Sequence, residues 1–285
     1  MSEIRPLMRY HGAKWRLAPW IISHFPPHNC YVEVFGGSGA VLITKPVVMN
    51  EVFNDLNSEV STLFKVLRDH ESTKKLCEAI NMTPYSREEF VEAYEPSECN
   101  IETARRVLVR ANMGFGSGGA TRQTTGFRSY TNRPGKSLPA HWKETSEKIK
   151  VVAARLSNAI IENRKALDLI KDHARSGVLF YLDPPYVHET RSNNKLAYQH
   201  EMSIEDHIEL IELIVGLAIQ DKGDFIISGY DSDLYNDIFD KHGWSKSTRQ
   251  IAISSGKGST VRTECLWLSP SCQSGQLDMF SNDAN

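Results

Sequence analysis

Apolar positions in the first part of the chain switch between short continuous runs and helical spacing. Residues 31–35 form an apolar run typical of a buried strand, and after a glycine turn residues 39–44 are a plausible helix start. Residues 47–53 predict a second strand, and the apolar spacing over 56–69 predicts a second helix. Strand, turn, helix, strand and helix in this order indicate the opening of a doubly wound α/β sheet.

The middle of the chain departs from this alternation. Helices are predicted at about 73–81, 86–94 and 100–112, and again at 141–156. Residues 114–139 between them are rich in Gly, Ser, Thr and Arg and poor in aliphatic side chains. This segment is longer than a simple connection, so it is either functional or disordered.

The α/β pattern returns in the last third of the chain. The predicted elements are strands at 178–182 and 224–228, helices at 203–219 (with Ser203 as N-cap) and 231–239, and a closing hairpin of 247–253 and 262–268. We therefore predict a Rossmann-like, doubly wound α/β domain formed by residues 1–70 and 166–270. A mostly helical insertion at 71–165 and a flexible tail at 271–285 complete the organisation.

Charge is distributed unevenly along this chain. The formal net charge is −2, yet residues 102–165 contain 13 Lys and Arg against four Glu, so that segment carries +9 and the remainder −11. A basic segment in an otherwise acidic protein is typical of a polyanion site, and the alternative is a solvated basic helix face.

The five cysteines show no C-x-x-C pair, which argues against a disulfide framework or structural zinc. Without a membrane-length apolar run or a signal-peptide pattern, we expect a cytosolic protein.

Two motifs in the first half indicate a bound nucleoside. FGGSG at 35–39 follows a predicted strand, where glycines permit a tight turn and close approach of a ligand to the backbone. Asp55 lies 19 residues after Gly36, near the spacing at which an acid accepts ribose hydroxyls. Asp55 could equally be the N-cap of the helix that follows. The two motifs together do not distinguish NAD from S-adenosylmethionine.

The motif that carries chemistry is DPPY at 183–186, at the end of another predicted strand. Ligands of open α/β sheets bind at that edge, and two prolines hold a stiff turn. The N6 amine of adenine is a poor nucleophile because its lone pair is delocalised into the ring. Hydrogen bonds to the Asp183 carboxylate and a proline carbonyl would direct that lone pair outward and strengthen as positive charge develops. Tyr186 offers a face on which an extruded base can stack; the alternative is a Pro-Pro turn with a capping Asp.

With these motifs in this order, the sequence resembles the Dam-type family of DNA adenine-N6 methyltransferases, particularly versions found in phages and prophages. The resemblance rests on YHGAK at 10–14, FGGSG at 35–39, NDLN at 54–57 and DPPY at 183–186, and it spans about residues 7–270. It implies methyl transfer from S-adenosylmethionine to N6 of a flipped adenine in double-stranded DNA, without a metal. GATC is the best-known target of the family, and some members work beside a restriction nuclease.

The resemblance also assigns roles to residues. Tyr10 stands where the family often has a Trp against the cofactor, and Lys14 matches the lysine that reaches the cofactor's carboxylate end. The expected catalytic residues are Asp183, Pro184, Pro185 and Tyr186. The expected cofactor-binding residues are Tyr10, Lys14, Phe35, Gly36, Gly37, Gly39, Asp55 and Asp183. The expected DNA-binding residues are Arg9, Arg106, Arg110, Arg122, Arg128, Tyr130 and Arg133.

The insertion is expected to recognise DNA. Arg106 and Arg110 share one face of a predicted helix, and arginine both reads guanine and grips phosphate. Phe115, Phe127 and Tyr130 are candidates for the aromatic that fills the gap left by a flipped base, and the sequence does not rank them. Outside the insertion, the basic loop at 254–258 is either a DNA-backbone contact or a plain hairpin turn.

The tail contains QLDMF at 276–280, which resembles the short peptide with which bacterial DNA-processing proteins dock onto the sliding clamp. Its anchors would be Gln276, Leu277, Met279 and Phe280. The alternative is a tail segment that packs back on the domain. A clamp pulldown tests this hypothesis, since equal recovery of wild type and a Gln276→Ala/Phe280→Ala variant would remove it.

Methyltransferases with other substrates are expected to carry different residues in these motifs. A related RNA adenine methyltransferase would usually carry Asn in place of Asp183, and a cytosine-N4 enzyme would usually carry Ser. A cytosine-C5 enzyme needs a nucleophilic Cys after a Pro, and the sequence has no Pro-Cys pair. The alternative from another class is a DNA-binding relative that has lost catalysis. Intact Lys14, Gly36, Asp183 and Tyr186 argue against it.

Overall fold

A computed structural model describes residues 6–121, 124–130, 135–186, 201–255 and 258–272. The strands are β1 Cys30–Glu33, β2 Asn50–Asn54, β3 Ala159–Glu162, β4 Val178–Leu182, β5 Asp224–Tyr230, β6 Ser245–Ser255 and β7 Gly258–Leu268. The helices are α1 Ala18–Ile22, α2 Ala40–Thr44, α3 Ser58–Arg68, α4 His70–Met82, α5 Arg87–Glu92, α6 Asn100–Met113, α7 Leu138–Lys143, α8 Thr145–Leu156, α9 Ala166–His173, α10 Ile204–Ile219 and α11 Asp233–Lys241. A 3-10 turn spans Gly119–Thr121.

All seven strands form one sheet in the order β3-β2-β1-β4-β5-β7-β6. The pairs from β3 to β5 are parallel, and β7 runs antiparallel to both β5 and β6. The strand order reverses between β1 and β4, which is the switch point of a doubly wound sheet. The predicted α/β class and the closing hairpin are therefore confirmed.

The sheet is buried on both faces, which explains the continuous apolar runs of its strands. In β1, Tyr31 packs into a core shared with α1, α3, α4, α6 and α8, whereas Val32 packs into a second core with α9, α10 and α11. Ser203 caps α10 as predicted, and Asp206 completes a capping box there. Within the described ranges, no helix is both long enough and apolar enough to cross a bilayer.

Three local predictions need correction. The sequence pattern assigned no element to β3 or α9, because a four-residue strand whose Ile160 is 47% exposed has little periodicity to detect. The predicted helix at 141–156 is two helices, since α7 ends before Glu144 and α8 begins at Thr145. β3 pairs with β2, so residues 159–162 belong to the sheet, although the sequence analysis placed them in the insertion at 71–165.

Candidate active site

The predicted motifs meet at one cavity of about 380 Å³ at the carboxyl edge of β1, β2 and β4. The segment 10–14, the turn that begins at Phe35, and the residues Asp55 and Asp183 all line it. Parallel strands bring their carboxyl ends to the same edge, and the loops separate at the switch point to leave a crevice. Motifs that lie more than a hundred residues apart in sequence therefore share one ligand-sized space.

Asp55 holds the glycine turn and does not cap a helix. Its Oδ2 accepts a hydrogen bond from the Gly37 amide at 2.7 Å, and its Oδ1 accepts one from the Asn57 amide at 2.8 Å. The side chain of Asn57 instead caps α3. Gly37 has φ +51°, and a Cβ there would lie 2.7 Å from the ring of Tyr10. Glycine is therefore required by both backbone conformation and space.

Asp183 lies at the end of β4, and its side chain is 19% exposed. Its Oδ1 accepts a hydrogen bond from Ser228 Oγ at 2.9 Å and forms an ion pair with Lys14 Nζ at 2.8 Å. Its Oδ2 has no hydrogen-bond partner among the described residues. An acid fully buried in an ion pair could not contact a substrate. Asp183 instead lines the cavity, and its Oδ2 is available to a bound substrate.

Lys14 makes contacts that the sequence did not predict. Its Nζ donates to the Gly12 carbonyl at 3.0 Å, and it bridges the carboxylates of Asp183 and Glu264, the latter at 3.5 Å. The resemblance implies that it reaches a cofactor carboxylate. Lys14 lines the cavity that such a group would enter, so this role stays a proposal.

Tyr186 is held at its hydroxyl and at its ring. The hydroxyl donates to Glu264 Oε1, and the ring centroid lies 4.9 Å from Lys14 Nζ. Tyr230 packs against the ring with the centroids 4.6 Å apart and an interplanar angle of 72°. Burial raises the pKa of the Tyr186 phenol, so the hydroxyl stays protonated and acts as the donor.

Glu33 is a cavity residue that the sequence analysis missed. Its Oε2 accepts hydrogen bonds from the Tyr31 hydroxyl at 2.8 Å and from the Leu42 amide at 2.6 Å. Burial raises its pKa to about 8, the two hydrogen bonds oppose the shift, and the charge of Asp183 adds to it. The available signal was a single acid within an apolar strand, directly before the glycine turn.

The structure contradicts the expected DNA contact of Arg110. Its side chain is fully buried and donates to the Ala93 carbonyl at 2.5 Å, the Gly119 carbonyl at 3.1 Å and the Glu59 carboxylate at 2.7 Å. Arg106 lies one turn before Arg110 on α6; its side chain is 13% exposed and pairs with Glu102 at 2.6 Å. The two arginines therefore do not form a common DNA-facing surface.

The other expected DNA contacts fall into two groups. Arg9 and Arg128 line a second cavity of about 340 Å³, and Arg128 donates to the Tyr130 hydroxyl at 2.7 Å. Arg9 and Tyr130 remain candidates. Arg128 is 6% exposed and also donates to the Asn112 carbonyl at 3.1 Å, so its side chain, like that of Arg110, makes its contacts within the protein. Arg122, Arg133 and the four tail anchors Gln276, Leu277, Met279 and Phe280 lie outside the described residues, as do Gly256 and Lys257 of the second basic loop.

Burial separates the three aromatic candidates of the insertion. Phe127 packs against Tyr85 and Phe90, with centroid distances of 5.3 and 5.7 Å. Tyr130 is half-buried beside Arg128, whose guanidinium lies 5.4 Å from its ring. Phe115 is 52% exposed, and its amide donates to the Gly126 carbonyl at 2.8 Å. Phe115 therefore has the most exposed ring of the three candidates.

The model of the D12 class of N6 adenine-specific DNA methyltransferases matches residues 10–253. The chain belongs to this family. It is 24% identical to a DNA adenine methylase of Serratia marcescens over 84% of this chain and 88% of that protein. It is 26% identical to the Type II methyltransferase M1.LlaDCHI of Lactococcus lactis subsp. cremoris, over 90% and 93% of the two chains.

The family assignment confirms the activity predicted from the motifs. As a member of the D12 class, the chain is an adenine-specific DNA methyltransferase, so its substrates are DNA and a methyl donor. A DNA adenine methylase of Escherichia coli (strain K12) is 22% identical over 93% of this chain and 94% of that protein.

Proposed function

We propose that the chain transfers the methyl group of S-adenosylmethionine to N6 of an adenine turned out of duplex DNA, with Asp183 as the catalytic acid. The observation that carries the proposal is the position of the Asp183 carboxylate. It lies at the switch point of the sheet, in the same cavity as the glycine turn and Asp55, with Oδ2 available. The residues proposed to bind the cofactor and the proposed catalytic acid therefore line the same cavity.

The residues of the cavity fit S-adenosylmethionine. Asp55 is fixed by the Gly37 amide at the end of β2, where an acid can accept ribose hydroxyls. Leu56 lines the cavity and is 43% exposed despite its apolar side chain, so a flat purine ring would cover it. We assign ribose binding to Asp55, contacts with the base to Phe35 and Leu56, and the cofactor's carboxylate end to Lys14. The bound cofactor supplies a methyl group already activated by its sulfonium, so the protein needs no covalent intermediate.

The protein's own contribution is orientation and hydrogen bonding. Asp183 Oδ2 accepts one N–H of the adenine amine, and the carbonyl of a DPPY proline accepts the other. Ser228 and Lys14 hold Oδ1, so the carboxylate does not need to reorganise as positive charge develops on the nitrogen. Tyr186 provides the ring on which the extruded base stacks, and Phe115 fills the gap it leaves.

Tritium transfer from labelled S-adenosylmethionine to DNA tests the assignment. We expect Asp183→Asn to lower transfer by about 100-fold or more, because the amide is a weaker acceptor for a developing cation. Duplex affinity should stay near wild type, since Asp183 lies in the cavity. Asp231→Asn is the matched control: this acid follows β5, pairs with Lys246 and does not line the cavity. Near-wild-type transfer by Asp183→Asn would show that the acid is misassigned.

The target sequence is a separate proposal. GATC is the first candidate, since it is the best-known target of the family that the motifs resemble. Long-read modification mapping of DNA from cells that express the chain gives the modified base and its sequence context together. Methylated adenine at another sequence would reject GATC and leave the activity in place.

The proposed clamp contact of residues 276–280 stays a prediction from the sequence.

A further inference from the structure

A second acid lies beside the proposed catalytic residues, on a strand far from them in sequence. Glu264 is on β7, opposite Tyr230 of β5, and is 2% exposed. Its Oε1 accepts the hydrogen bond of the Tyr186 hydroxyl and lies 3.5 Å from Lys14 Nζ. Lys14, which pairs with Asp183, and Tyr186, which follows it in the DPPY turn, thus both contact the buried Glu264 carboxylate.

A buried carboxylate with these partners has a defined position. Burial raises the pKa of Glu264, and the charge of Lys14 opposes that shift. Lys14 is itself fixed by Asp183 at 2.8 Å and by the Gly12 carbonyl at 3.0 Å. Glu264 is therefore anchored on one side by a lysine that cannot easily move, and it offers its oxygen to Tyr186 on the other.

The Tyr186 ring needs such an anchor if it is to receive a base. The two prolines before it restrict the backbone of the turn, but they leave rotation about the Tyr186 side-chain bonds unrestricted. Tyr230 contacts the ring from one direction only. The hydroxyl bond to Glu264 fixes the far end of the ring, and a ring fixed at both ends presents one geometry to the incoming base.

We propose that Glu264 is a positioning residue for methyl transfer, which holds the Tyr186 ring in place through its hydroxyl. This inference rests on the proposed function, because it assumes that the extruded adenine stacks on Tyr186. If Glu264 only satisfied buried polar groups, its removal would lower stability without changing the rate of the folded enzyme.

The test is the single-turnover rate of methyl transfer from saturating S-adenosylmethionine to a duplex that carries the mapped target. Tyr186→Phe keeps the ring and removes the hydroxyl, and we expect it to lower the rate roughly 10-fold or more, as misplaced reacting groups do. Glu264→Ala should lower the rate by a similar factor. For Tyr186→Phe, the duplex and cofactor dissociation constants should each stay within about 3-fold of wild type, because the ring and Lys14 are retained. Glu264→Ala also removes a partner of Lys14, so its rate is compared only at saturating S-adenosylmethionine.

The double variant decides whether Glu264 acts through Tyr186. In the Tyr186→Phe background the hydroxyl is already absent, so Glu264→Ala should lower the rate by less than about 3-fold. Glu264→Gln, whose amide oxygen can still accept from the hydroxyl, should recover most of the rate. Independent, multiplying losses in the double variant would overturn the proposal, and so would a wild-type rate for Tyr186→Phe or Glu264→Ala.

Glu51→Gln is the matched control for loss of a buried carboxylate. Glu51 is also 2% exposed and lies in the same sheet, but it pairs with Lys45 and Arg155 and does not line the cavity. It should lower the melting temperature and leave the rate unchanged. If Asp183→Asn loses activity while Tyr186→Phe and Glu264→Ala keep theirs, this inference fails and the proposed function stands.

Discussion

Glu33 shows how the environment of one residue changes its chemistry. Its carboxyl group is buried at the end of β1, and its pKa rises from the usual 4.5 to about 8. The folded protein therefore holds the Glu33 proton more tightly than the unfolded chain does. The stability that this preference contributes is fully present below about pH 4.5 and is lost as the pH rises through about 8.

We expect Glu33→Gln to remove this pH dependence, because the amide keeps an acceptor for Tyr31 and Leu42 and carries no charge. The melting temperature of the variant minus that of wild type should increase from pH 5 to pH 8.5. Glu51→Gln should show no such trend over this range: burial raises the pKa of Glu51, but the hydrogen bonds and charges of Arg155 and Lys45 outweigh it and hold the pKa below the usual 4.5, so the stability of the charged form changes only at lower pH. A Glu33→Gln difference that stays constant with pH would contradict the raised pKa.

Arg110 connects several elements from within α6. Its guanidinium donates to the residue that follows α5, to the 3-10 turn at Gly119–Thr121, and to Glu59 in the first turn of α3. The buried arginine therefore holds α3, the end of α5 and the 3-10 turn against α6.

Removal of this connection should be costly. We expect Arg110→Ala to lower the free energy of unfolding by about 3–5 kcal/mol, because it leaves the Glu59 carboxylate and two carbonyls without their buried donor. Arg106→Ala is the control on the same helix. Its side chain pairs with Glu102 and donates to the exposed carbonyls of Glu95 and Pro96, which water can reach in the variant, so we expect a smaller loss of about 1 kcal/mol. Urea denaturation measures both values. Equal losses in the two variants would show that burial of Arg110 has no special energetic role.

At the scale of the whole molecule, the segment that follows α6 meets the N-terminal segment at the rim of the cavity. Ser117 Oγ lies 3.5 Å from Nδ1 of His11, which lines the cavity. Phe115 is two residues from this contact and has the most exposed aromatic ring of the described part of the chain. The fold thus brings the exposed ring of Phe115 close to the rim of the cavity that contains Asp183.

We expect Phe115→Ala to lower methyl transfer about 10-fold, because the gap left by the extruded adenine is no longer filled. Cofactor affinity should not change. Phe115→Trp should keep most of the activity, and Val91→Ala provides the control of an equally exposed apolar side chain on α5 of the same insertion. Unchanged transfer by Phe115→Ala would assign the role to another aromatic.

The sequence by itself determined the α/β class, the family and the positions of the main motifs. These depend on local features: apolar runs mark buried strands, helical spacing marks α3 and α10, and the motifs at 35–39, 54–57 and 183–186 lie at the ends of β1, β2 and β4. Since parallel strands must end at a common edge, motifs that follow β1, β2 and β4 were bound to meet there.

Only the tertiary structure decided which polar side chains are partners. Arg110 is indistinguishable from a surface arginine in sequence, and it is buried because three separate segments supply its acceptors. Glu264 and Tyr186 are 78 residues apart, and the pairing of β5 with β7 brings them together. Burial and hydrogen bonding between distant segments depend on packing in three dimensions, which local periodicity does not encode.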